Sequence, residues 1–139
     1  MPHQNDTHNR TVQSVILELA PLIDEAEKIE KVPGAVHNHN HAMTQAESLI
    51  QLLSVPQWEQ SITISTLIIR NSIVQCWFYG RKEQWQLVIQ IASKAMDVIN
   101  KIIDNVDARY ISYLEASLLA YKGFCLLKTN KMYISYLEA

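Results

Sequence analysis

WQLVIQIASKAMDVINKII (residues 85–103) is the stretch whose reading decides the fold. Trp85, Val88, Ile89, Ala92, Met96, Ile99 and Ile103 recur at three- and four-residue spacing, which sets them along one stripe of an amphipathic α-helix. Downstream, the polar residues 104–107 break the pattern. A further helix is expected from about Ala108 to Leu127, after which Thr129 and Asn130 turn the chain toward a short final helix. Upstream, Gly80 and Arg81 mark a turn closing a long helix that opens at Pro56, a residue suited to a first helical turn, and runs to Tyr79. Ile62 and Ile64 alternate with Ser61, Thr63 and Ser65 as a strand would, but the length of the run and its helical neighbours favour helix.

Two more helices are expected nearer the start. Thr11 is a good N-cap for one whose face is traced by Val12, Val15, Ile16, Leu19 and Ile23. Pro21 should kink or restart it, and KVPGA (residues 31–35) ends it. The next carries Ala42, Ala46, Leu49, Ile50 and Leu53 at helical spacing. Residues 1–10 show no periodicity and read as a flexible tail. The expectation is an all-α fold over residues 11–139: one domain, built as a stack of about three antiparallel helical hairpins.

Two of those hairpins fit a tetratricopeptide-like frame, with a small residue at the helix crossing, a bulky one a turn later and small residues on the second helix. Cys76, Tyr79, Trp85, Val88 and Ala92 fill these places once; Leu119, Gly123, Leu126, Met132 and Ser135 fill them again. The heptapeptide YISYLEA occurs at residues 110–116 and identically at 133–139, without the divergence usual between structural repeats. The second copy reads as a duplicated or non-native extension that still suits a helix.

The 139 residues, 48% of them hydrophobic with only 3 Gly and 4 Pro, can bury a core and argue against disorder or a loop-rich all-β fold. A net charge of -2 gives no reason to propose nucleic acid or an anionic membrane as partner. No secretory signal is visible, and no apolar run reaches membrane-spanning length. Cys76 and Cys125 sit in apolar helical runs, as reduced thiols of a cytoplasmic protein would.

The histidine-rich run VHNHNHAM (residues 36–43) can be read two ways. His37, His39 and His41 offer imidazoles to a metal, but a specific site needs three or four convergent ligands, and no second cluster supports them. A phosphotransfer histidine would need a phosphate-accommodating neighbourhood, which is absent. The plainer reading is a polar lead-in capping the following helix. No metal or other cofactor is therefore expected. Asp24, Glu25, Glu27 and Glu30 beside Lys28 and Lys31 read as an internally paired, solvated face. Without a carboxylate pair in a cleft, an activated cysteine or a glycine-rich phosphate loop, no enzyme is expected.

Binding of another protein is the remaining class. In a tetratricopeptide-like stack the first helix of each hairpin lines a concave groove. Ile73, Trp77, Ala120, Phe124 and Leu127 are the candidates to face it and accept an amphipathic helix. His37, His39, Ala42, Ala46, Glu47 and Leu49, spaced H-x-H-x-x-A-x-x-x-A-E-x-L, resemble the opening hairpin of the needle-subunit chaperones of bacterial type III secretion (the YscG/PscG class). Arg70, Ser72, the turn at Gly80 and Arg81, and the helix from Gln84 continue the likeness, which covers residues 36–91. The resemblance implies a bacterial cytoplasmic chaperone holding the amphipathic helix of an aggregation-prone secreted subunit, assisted by a small helical co-chaperone. The alternatives are a helical adaptor, immunity protein or antitoxin, or a histidine-based metal or phosphotransfer protein.

Overall fold

The computed structural model describes residues 11–30 and 36–138, and the side chains of 29, 30, 36–39, 55 and 131–138 lie outside the description. The expected tail at residues 1–10 lies outside it too. The described residues are all-α, without a strand. The helices are α1 (Val12–Glu30), α2 (Val36–Ile50), α3 (Val55–Glu59), α4 (Ile62–Arg81), α5 (Trp85–Ile102) and α6 (Ala108–Glu138).

Local chemistry accounts for most boundaries. Thr11 caps α1, its Oγ1 accepting from Ser14 N at 3.1 Å. The helix runs unbroken through Pro21, which is exposed, so the expected restart is absent. The helix expected from Pro56 to Tyr79 is two helices. Ser54 and Gln57 form a capping box for the single turn of α3, and Ser61 then caps α4 by accepting from Ile64 N at 3.2 Å. The alternation at residues 61–65 is thus a cap followed by a first turn. Gly80 and Arg81 remain helical, and the turn falls on Lys82 to Gln84, with Glu83 in the left-handed region at φ 59°. Asp107 opens α6, its Oδ1 accepting from Arg109 N at 2.8 Å.

Two expectations fail more consequentially. The histidine run is no lead-in: residues 36–41 already belong to α2. Nor does the chain turn at Thr129 and Asn130. Thr129 donates its hydroxyl to Cys125 O at 2.9 Å inside the helix, and α6 continues to Glu138. The second hairpin frame therefore never closes.

α4 is the hub, packing against α1, α2, α3, α5 and α6. α1 pairs with α2, and α4 with α5; α6 lies against α5 and α4. One core joins α4, α5 and α6 through Ile69, Cys76, Val88, Ala92, Ile99, Leu114 and Leu118. Cys76 Sγ donates to Val88 O at 3.9 Å, so the small residue does sit where α4 and α5 cross closely. A second core, Val15, Leu19, Ile23, Ala46, Ile64 and Leu67, ties α1 and α2 to α4. Asn71 is buried in α4 with its Oδ1 unpartnered.

Candidate partner-binding surfaces

The candidate residues fall on two surfaces. Ile73 lines a pocket of about 370 Å³ between α1, α4 and α6, together with Glu27, Arg70, Tyr110, Tyr113 and Ser117. Arg70 organises its rim. Its Nε donates to Glu27 Oε2 at 3.0 Å, and its Nη2 to Asp24 Oδ1 at 2.7 Å. The expected pairing of the acidic face within α1 is therefore incorrect for these two carboxylates, which reach across to α4. The hydrogen bond that Arg70 donates to Glu27 raises the Arg70 pKa above its ordinary value despite partial burial. Burial likewise raises that of Tyr110, against the pull of Arg70. This rim is polar and already satisfied.

Trp77 lies one turn beyond Ile73 but does not line that pocket. It is half-buried against Ala26, Met43 and Phe78, with the Arg81 guanidinium 5.1 Å from its ring centre. Ala120, Phe124 and Leu127 form a separate surface on α6. Phe124 is 52% and Leu127 60% exposed, and Ala120 is exposed beside them. Phe124 meets Trp85 edge-to-face at 5.8 Å, and the Lys128 ammonium stands 5.4 Å from its ring centre, yet about half of the side chain stays exposed.

Residues that were not expected to bind a partner enlarge this surface. Leu119 and Leu126, read as hairpin packing, are 50% and 47% exposed, and Tyr113 is 66% exposed. A Cβ placed on Gly123 would meet nothing within 4 Å. The signal for these positions was present in the second hairpin frame; among the described residues no helix returns over the face it marks. Five of the nine exposed large hydrophobic residues (Tyr113, Leu119, Phe124, Leu126 and Leu127) lie on the outer side of α6, which makes this face the molecule's main apolar surface among the described residues.

Other sites offer less chemistry. A larger pocket of about 620 Å³ opens between α1 and α2, lined by Leu17, Pro21, Leu22 and Leu49 together with Glu18, Gln45 and Ser48. His41 is exposed, the side chains of His37 and His39 lie outside the described residues, and no described group of three or more His, Cys, Asp or Glu could hold a metal. No helix among the described residues is long and apolar enough to cross a membrane.

Burial pushes the Cys76 thiol up to about 12, with the nearby Cys125 adding to it, which leaves a poor nucleophile. This has a consequence for stability. Once pH passes the ordinary 9.0, the unfolded chain releases the thiol proton while the fold retains it, so stability falls until about pH 12. The loss is about 1.4 kcal/mol per pH unit at most. Cys76→Ala should flatten the alkaline decline of urea-unfolding free energy relative to the unmodified protein. An unchanged slope would show that the thiol is not held protonated.

No family model matches the chain, and neither a curated protein nor a solved structure does so.

Proposed function

We propose that the chain is a protein-binding chaperone that shields an amphipathic helix of its partner against α6. The observation that carries this reading is the continuous apolar face of α6, in which Tyr113, Leu119, Phe124, Leu126 and Leu127 stand exposed around Ala116, Ala120 and Gly123. A helix laid along it would bury apolar area at about 25 cal/mol per Å², and its own apolar stripe would leave water at the same time. The packing order is compatible with a tetratricopeptide-like stack: α1 packs on α4 and α4 on α6, while α2 packs on α1 and α5 on α4. Among the described residues no helix returns behind α6.

The resemblance over residues 36–91 suggests which partner: the C-terminal amphipathic helix of a type III secretion needle subunit, held in the bacterial cytoplasm before export. The test is co-expression of the full chain with such a subunit, followed by titration with that helix as a synthetic peptide. A subunit kept in solution as a defined complex, with the peptide competing for it, is the expected result. A subunit that aggregates regardless, and a peptide that does not bind, would replace this reading with an adaptor or toxin-neutralising one.

A further inference from the structure

We infer that the bare face of α6 is covered, when no partner helix is bound, by the α6 of a second copy of this chain, running antiparallel about a two-fold axis. The inference rests on that face as a docking surface but not on the identity of the partner it holds. A two-fold seam makes a strict demand: whatever residue i meets as j, residue j must meet as i. In an antiparallel helix pair the same edge of each helix faces the same edge of the other, and residues equidistant from the axis lie level. The face must therefore be complementary to itself read backwards.

The α6 face meets that demand in one register. At about 100° per residue, Ala116, Leu119, Ala120, Gly123 and Leu127 run down its centre. Glu115 and Lys122 lie together along one edge, half-exposed, and no ion pair holds either within the described residues. Tyr113 and Phe124 lie along the other edge. With the axis between Leu118 and Leu119, Glu115 lies level with the second copy's Lys122, and Lys122 with its Glu115. The same axis sets Tyr113 level with the second copy's Phe124, and the reverse. One register thus gives two reciprocal ion pairs on one edge and two aromatic pairs on the other. Ala116 and Ala120 flank the axis and let the backbones approach, and Gly123 adds no bulk. A helix of unrelated sequence has no reason to satisfy both edges at once.

A seam of one helix pair sits at the low end of specific interfaces, below about 1,200 Å² in total, so dissociation in the micromolar range is expected. Sedimentation velocity of the full chain over concentrations up to on the order of 100 μM should show a monomer–dimer equilibrium. Glu115→Lys alone and Lys122→Glu alone place like charges level and should each weaken dimerisation about tenfold. The double variant Glu115→Lys/Lys122→Glu restores opposite charges and should recover it. A chain that stays monomeric throughout, with its helical circular dichroism intact, overturns the inference. A dimer indifferent to either reversal also overturns it, because another surface then pairs. Failure here is separable from failure of the chaperone reading. A monomer that still holds the needle-subunit peptide loses only the dimer, and a charge-sensitive dimer that ignores the peptide loses only the proposed partner.

Discussion

Replacing Leu118 by alanine should destabilise the fold by about 3 kcal/mol and lower its Tm by roughly 10 °C. Leu118 is fully buried in the core shared by α4, α5 and α6, between Leu114 and Cys125 along the face that α6 turns inward. Its loss removes transfer free energy and leaves a cavity that three helices cannot close together, because α4 is held from its other sides by α1 and α2. The attachment of α6 makes the effect larger still: its main packing is against α5 and α4, so its hold depends largely on one stripe. Leu119→Ala is the control one residue away. Leu119 is half-exposed on the outer face, and its truncation should shift stability by less than about 0.5 kcal/mol. Thermal and urea unfolding of the two variants side by side check the assignment. Equal losses would mean that α6 has been given the wrong inward face.

What the sequence made legible follows from how local each signal is. α5 was readable because its stripe is continuous, but it packs on both α4 and α6, so Ala95, Val98 and Ile102 are buried too, while Ile103 stands exposed beyond its end. The cap at Thr11 is short-range chemistry, whereas the expected stop at residues 31–35 lies outside the described residues. The break between α3 and α4 was missed although its signal was local: Ser61 three residues before Ile64 is a cap, but β-like alternation masked it. α6 was cut short because Thr129 and Asn130 favour turns in general, whereas a threonine hydroxyl can return to a carbonyl four residues back and remain helical. Arg70 had no local signal at all. Its carboxylate partners stand 43 and 46 positions away, and only tertiary packing brings them together. The candidate residues divided for the same reason. Ile73 and Trp77 were placed by the helix they share, while Ala120, Phe124 and Leu127 depended on a hairpin that does not form. They were expected to line a groove; they stand exposed on α6, where no described helix lies over them.

The largest functional effect is expected from Leu119→Glu combined with Leu127→Glu. Both side chains are at least half-exposed on the described fold, at 50% and 60%, so the substitutions should leave Tm nearly unchanged. Phe124 is the wrong target, since its ring rests on Trp85 and its loss would disturb the end of α5. For a helix docked along α6, each leucine is an anchor worth about 2 kcal/mol when desolvated, and a carboxylate in its place must also be dehydrated. Two such changes should weaken binding of the needle-subunit peptide by on the order of a thousandfold, read by fluorescence anisotropy. The same pair should abolish dimerisation, because both events use one face. Competition between them gives a sharper readout than either loss. If the peptide must displace a second copy, its apparent affinity for the unmodified chain should fall as protein concentration rises above the dimer dissociation constant. In the Glu115→Lys variant, with the dimer weakened and the central leucines intact, that dependence should shrink while the limiting affinity at low concentration stays the same. Affinity independent of protein concentration in both forms would place peptide and second copy on different faces, and α6 could then serve only one of them.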